Sequence, residues 1–200
     1  MIAKQERYLI TIDLDGTLLT DDKRISPKTV AYLQKLDQLG HIIILASGRA
    51  ERSTSRFARF LGLKNPVVSY NGVLTHSDYD ENFKPRLVTY PLENIKAMIR
   101  EIGIDKFENI MCETPDSVWL QKPDNQLSSF FDHKEVTVIY GDILQTLDVH
   151  PITFIFKFKE HTEEHKALAA RVIRKYPNCD VRFWFDSDYG EIFYENVTKA

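Results

Sequence analysis

Two carboxylates stand one residue apart in Asp13-Leu14-Asp15-Gly16-Thr17, directly after the apolar run 8–12. A buried strand that ends in such a pair is costly unless something compensates the charge. Period-two geometry sends Asp13 and Asp15 to the same side while the chain stays extended. Two like charges so close call for a divalent cation or a proton. Gly16 allows a tight turn and a close backbone approach. Oxygen donors of this kind suit Mg²⁺, which keeps several waters and takes one or two carboxylates together with a substrate phosphate. An Asp-Gly step is also a common turn, so this pair alone leaves a plain turn open.

The elements around the pair decide whether other groups join it. Residues 8–12 read as a buried strand. Ser26 caps a helix that Pro27 opens, Val30, Leu33 and Leu36 give that helix an apolar face, and Gly40 stops it. Residues 41–46 form a second strand, followed by Ser47-Gly48-Arg49 and a helix over 50–61. A third strand, 66–69, closes on Asn71-Gly72. Strand, helix, strand, helix, strand predicts a parallel sheet with helices packed on it. Right-handed crossovers bring the three strand ends to one edge. Ligands of open α/β sheets bind off those carboxyl ends. Asp13, Ser47 and Asn71 all stand there. After Gly72 the pattern changes to a hairpin over 73–75 and 87–90, a helix over 93–102, strands at 117–121, 136–140 and 153–158, a helix over 162–176, and strands at 181–185 and 191–194. That mixture predicts a separate α+β domain. The expected boundaries are 1–84 with 190–200 for the first domain and 85–189 for the inserted one.

Composition narrows the function. The 200 residues carry a formal net charge of -3, with 43% hydrophobic and 28% charged residues. No basic excess points to nucleic acid or to an anionic membrane surface. No window reaches the length of a membrane span, and the polar start does not read as a signal peptide. A cytoplasmic protein acting on a small molecule is expected. Cys112 and Cys179 form no disulfide framework. The six histidines show no ligand spacing in sequence, so no zinc site is expected. Thr17 reads as a cap of its turn, and Phe183-Trp184-Phe185 as core.

Asp13-Leu14-Asp15-Gly16-Thr17 resembles the first motif of the haloacid dehalogenase (HAD) superfamily. Ile44-Leu45-Ala46-Ser47-Gly48-Arg49 is similar to its second motif. Ser69-Tyr70-Asn71-Gly72 resembles the Asn-Gly step of the Cof-type sugar-phosphatase subfamily (IIB), and Glu191-Ile192 with Val197-Thr198-Lys199 resembles its lysine motif. The resemblance covers essentially the whole chain in order. It implies a Rossmann-like α/β core with an inserted α+β cap of the C2 type. It implies a Mg²⁺-dependent phosphatase of small phosphorylated metabolites, with Asp13 forming an aspartyl phosphate and Asp15 acting as general acid and base. Asp13 and the Asp15 carbonyl would hold Mg²⁺, Ser47 would bind phosphoryl oxygens, and Lys199 would neutralise charge. Leu14, Gly16, Thr17, Gly48 and Asn71 would frame the phosphate with loop amides and the helix start. Arg49 is open between a phosphate contact and a pairing with a nearby acid.

The chain departs from the family after the lysine, where Ala200 stands in place of the family's usual Gly. The family's fourth motif, an acidic loop after the lysine, is absent, because the sequence ends at Ala200. Gly141-Asp142 lies too early to replace it. The expectation is a shortened core that binds Mg²⁺ weakly and exposes its first strand as an edge, favouring a homo-oligomer. A non-catalytic phosphate-binding fold and a phosphotransferase such as a phosphomutase are the alternatives.

Overall fold

The computed structural model describes residues 6–131, 135–160, 162–184 and 188–199. The expectations for Phe185 and Ala200 lie outside them. The chain forms two compact units, one reaching to Leu87 and including Lys199, the other Val88–Thr198.

In the first unit, β1 (Leu9–Ile12) and β2 (Ile42–Leu45) pair in parallel, with Leu9 opposite Ile42 and Ile12 opposite Leu45. The helix α1 (Pro27–Gln38) connects them. It starts where expected because the Ser26 hydroxyl accepts from the Thr29 amide at 3.1 Å. Helix α2 (Glu51–Leu61) follows β2 and ends at Gly62, whose φ of 74° suits a residue without Cβ. A parallel bridge between Ala46 and Val68 carries the layer to β3 (Val67–Ser69). From there the chain turns antiparallel into β4 (Leu74–His76) and β5 (Arg86–Leu87). The core of this unit gathers Leu14, Leu18, Leu33, Ile43, Leu45, Ala58, Leu61 and Val67. Among the described residues β1 has a strand partner on one side only.

The second unit is a six-stranded sheet in the order β10-β11-β9-β6-β7-β8, where β6 is Phe107–Glu113, β7 Ser117–Leu120, β8 Thr137–Tyr140, β9 Thr153–Phe158, β10 Cys179–Phe183 and β11 Tyr189–Tyr194. Neighbours are antiparallel except β7 with β8. Helices α3 (Leu92–Ile102) and α5 (Glu163–Ile173) bury Ile95, Met98, Ile99, Ala169, Val172 and Ile173 in the same apolar cluster as Phe154, Phe156 and Phe158. Gly190 stands opposite Phe156, and a Cβ there would lie 2.4 Å from the phenyl Cζ.

Two expectations need correction. The boundary at residue 190 moves to Lys199, because β11 hydrogen-bonds to β9 and β10 and so belongs to the second unit. Strand β6 was not read from the sequence, although it lies between β9 and β7. Its Asn109 is fully buried and breaks the apolar run, yet its side chain is satisfied: it donates to the Lys122 carbonyl at 3.0 Å and accepts from the Ile110 amide at 2.9 Å. Gly141-Asp142, read as lying too early to replace the family's acidic loop, has a local role: Asp142 caps the short helix α4 (Ile143–Thr146), accepting from the Leu144 amide at 3.0 Å. Cys112 and Cys179 are both free and buried, and burial pushes the Cys179 thiol up to about 11, as suits an inert packing group.

Candidate active site

The site grows from the carboxyl end of β1. Asp13 continues the strand in extended conformation (φ -77°, ψ 156°), and the chain then winds into a turn over Leu14–Leu18. The Leu18 amide returns to the Asp13 carbonyl at 3.2 Å and the Leu19 amide to that of Leu14 at 2.9 Å. Leu14 is fully buried and pins the turn to the core, while Asp15, Gly16 and Thr17 face solvent. Gly16 takes φ 73°, a left-handed conformation that a side chain would strain.

The two carboxylates meet different cations. Lys199 brings Nζ to 3.1 Å from Asp13 Oδ1. Arg49 donates from Nε to Asp15 Oδ2 at 2.6 Å and from Nη2 to Oδ1 at 2.8 Å. Lys23 donates to the same Oδ1 at 2.8 Å. This fork holds the Asp15 carboxyl well below the usual carboxylate range, with the Arg49 hydrogen bonds as the largest cause and partial burial opposing them. Arg49 is braced in turn: Nη1 donates to the Ser53 hydroxyl at 3.3 Å, and the guanidinium lies 5.6 Å from the Phe57 ring centre.

The ends of β2 and β3 are knitted by main-chain bonds. The Ser47 amide donates to the Val68 carbonyl at 2.9 Å, the Asn71 amide to that of Ser47 at 3.0 Å, and the Tyr70 amide to that of Arg49 at 2.9 Å. The Ser47 hydroxyl oxygen is buried with its residue and accepts from the Arg49 amide at 3.2 Å. Asn71 sits at φ 55°, where Asn is tolerated better than most residues. Its amide group packs on Gly48, where a Cβ would approach Asn71 Oδ1 to 3.0 Å.

The structure therefore brings Asp13 to Lys199, Asp15 to Arg49, and Gly48 to Asn71. Thr17 is exposed and joins none of these bonds. Of the two openings for Arg49, pairing with an acid is the one seen. Lys23 was missed by sequence reading. It lies in a loop eight residues beyond Asp15, at φ 59°, and nothing in its local sequence signals a return to that acid. A hard divalent cation fits the donor chemistry at Asp13 and Asp15. The Asp13 side chain is 36% exposed and carries ionisable oxygen, and the Asp15 backbone is extended (φ -76°, ψ 128°), offering a main-chain carbonyl. No helix among the described residues is long and apolar enough to cross a membrane.

Comparison with known proteins places this arrangement. The profile of the haloacid dehalogenase-like hydrolases matches residues 10–200. The chain is 31% identical over 153 residues to the 5-amino-6-(5-phospho-D-ribitylamino)uracil phosphatase YitU of Bacillus subtilis, covering 76% of this chain and 57% of that protein. The chain spans somewhat over half the length of such curated relatives. Its fold matches that of a haloacid dehalogenase-like hydrolase from Bacteroides thetaiotaomicron with a TM-score of 0.75 at 18% identity, over 97% of this chain and 73% of the other. It also matches the HAD subclass IIB sugar phosphatase BT4131 with a TM-score of 0.68 at 18% identity, over 97% and 72%. The acid pair at the end of β1, the serine at the end of β2 and the lysine on Asp13 thus stand in a chain that belongs to the haloacid dehalogenase-like hydrolases.

Proposed function

We propose that this chain carries the nucleophile and acid–base half of a Mg²⁺-dependent phosphatase that acts on small phosphorylated metabolites of the sugar or polyol type. The observation that carries the reading is the division of labour at the end of β1. Two carboxylates one residue apart are each held by a different cation, Lys199 on Asp13 and Arg49 with Lys23 on Asp15. The substrate class is supported by the ribityl phosphate in the name of the Bacillus subtilis relative and by the sugar phosphatase among the matching folds. The second unit corresponds to the C2-type cap, and the choice of leaving group is assigned to its loops.

In this reading an Asp13 carboxylate oxygen attacks phosphorus, and the bond from phosphorus to the ester oxygen breaks. Asp15 delivers a proton to the departing alcohol. Its carboxylate then takes a proton from water, which attacks the aspartyl phosphate and releases inorganic phosphate. Lys199 compensates the negative charge shared by Asp13 and the phosphoryl group, and Ser47 with the 14–17 loop amides positions the phosphoryl oxygens. Mg²⁺, held by the Asp13 side chain and the Asp15 carbonyl, would supply further charge neutralisation of the phosphoryl oxygens. With Arg49 closed on it, Asp15 is ionised and suits the base step. For the acid step Arg49 must turn away, and an arriving phosphate is the anion that competes for it.

Hydrolysis of a generic aryl phosphate in the presence of Mg²⁺ tests the proposal. Turnover that disappears in Asp13→Asn is expected. Equal turnover in the parent and Asp13→Asn contradicts it, and a phosphorylated acceptor in place of free phosphate points to transfer instead.

A further inference from the structure

One cluster of ligand-type side chains lies outside the Asp13 and Asp15 machinery. Glu51 at the start of α2, His76 at the end of β4 and Asp78 just beyond it each turn one ligand atom to a common point, all within 4.8 Å of one another. The approach is uneven in a telling way. His76 Nε2 lies 3.0 Å from Glu51 Oε1, 3.2 Å from Asp78 Oδ1 and 3.0 Å from the Ser55 hydroxyl. In either protonation state Nε2 carries at most one hydrogen, so three oxygens crowd a single donor. The Ser55 hydroxyl hydrogen is itself placed toward Glu51 Oε1 at 2.8 Å. A cation among these atoms satisfies all of them at once. Zinc–nitrogen and zinc–oxygen bonds of about 2.0–2.2 Å imply ligand-to-ligand spacings of about 3.3–3.6 Å at a tetrahedral ion. The observed 3.0 and 3.2 Å lie a few tenths of an ångström below that spacing, so a small outward shift of the side chains admits an ion.

We propose that Glu51, His76 and Asp78 form a binding site for a divalent transition-metal ion, with Zn²⁺ as the representative occupant. One imidazole nitrogen with two carboxylates favours such an ion over Mg²⁺, which takes oxygen donors. The site links α2 to the β3–β4–β5 ribbon, so its occupant fastens the layer that carries Ser47 and Asn71. Spacing in sequence hides it, because the three ligands are 25 and 2 residues apart, as their numbers 51, 76 and 78 give. Its affinity is modest for two structural reasons. Arg59 already holds Asp78 Oδ2 at 2.7 Å, and His76 Nδ1 is buried without a hydrogen-bond partner, so the imidazole lacks the outer support that tight zinc sites give it. The inference does not depend on the phosphatase reading.

The test is calorimetric titration of the chelator-treated chain with Zn²⁺ in a Mg²⁺-containing buffer, with Co²⁺ absorption in the visible as a second readout. One equivalent bound with micromolar affinity is expected. Binding persists in Asp13→Asn and weakens at least about tenfold in both His76→Gln and Glu51→Gln, as loss of a ligand requires. The two variants lie on different elements, so a folding defect in one leaves the other informative. No saturable binding at micromolar Zn²⁺, binding that survives both substitutions, or binding lost in Asp13→Asn overturns the proposal.

Discussion

Replacing Arg49 by methionine isolates the force that holds Asp15 ionised. The guanidinium fork closes on Asp15 at 2.6 and 2.8 Å. With charge centres roughly 4 Å apart, Coulomb's law gives about 4 kcal/mol at an effective dielectric of 20 and about 1 kcal/mol in bulk water. The Asp15 side chain is 43% exposed, which places the pair near the lower limit. Two parallel charge-assisted bonds raise it somewhat. A loss of about 1–1.5 kcal/mol corresponds to a rise of about one pH unit in the Asp15 pKa, with Lys23 still in place. The sign follows from linkage. The folded-state pKa is depressed below its unfolded value of about 3.9, so the pair stabilises the fold above that pH and ceases to do so as pH falls through the folded-state value. Arg49→Met is therefore less stable than the parent at pH 5–7, and the two stability curves converge at strongly acidic pH. Carboxyl NMR titration reads the pKa, and urea unfolding as a function of pH reads the stability. An unchanged Asp15 pKa in Arg49→Met refutes the reasoning, as does a stability gap that widens on acidification.

Other perturbations probe different parts of the account. Asp15→Asn keeps the shape of the site and removes its proton donor, so turnover of an aryl phosphate should fall by about 10²–10⁴; steady-state kinetics that match the parent contradict the assigned role. Gly190→Ala drives a Cβ into the buried Phe156 ring, 2.4 Å from its Cζ, and should cost about 1–3 kcal/mol in chemical denaturation; an unchanged midpoint means that the ring yields freely. The 200-residue chain should self-associate through β1, where Tyr8 and Leu9 are 56% and 65% exposed on a strand edge. Leu9→Lys should shift light scattering toward the monomer, and a parent that stays monomeric across concentration argues against the edge as an interface.

The parts of the fold that were legible rest on local chemistry. Ser26 and Pro27 announce α1, Gly40 stops it, and β-rich runs closed by Asp, Ser and Asn announce the three strand ends of the first unit. The pairing of Lys199 with Asp13 was anticipated through the resemblance rather than from spacing. What was not legible is tertiary. Buried Asn109 disguised β6, because a polar side chain in a strand is tolerated only when partners such as the Lys122 carbonyl are in place, and those partners lie 13 residues away. Residue 190 was read as the return to the first domain because its motif resembles one near the core, yet sheet pairing keeps it with β9 and β10. Arg49 and Lys23 on Asp15 follow from the folding of two separate loops onto one acid, and no periodicity records such a meeting.

The central claim is that Asp13 is the atom donor to phosphorus. Brief incubation of the chain with Mg²⁺ and a phosphorylated substrate, followed by acid quench, borohydride reduction and peptide mapping by mass spectrometry, reads it directly. A reduced residue at position 13, absent when substrate is omitted and absent in Asp13→Asn, is the predicted result. Steady phosphate release with position 13 unmodified at every quench time, or modification at Asp15 instead, would contradict it.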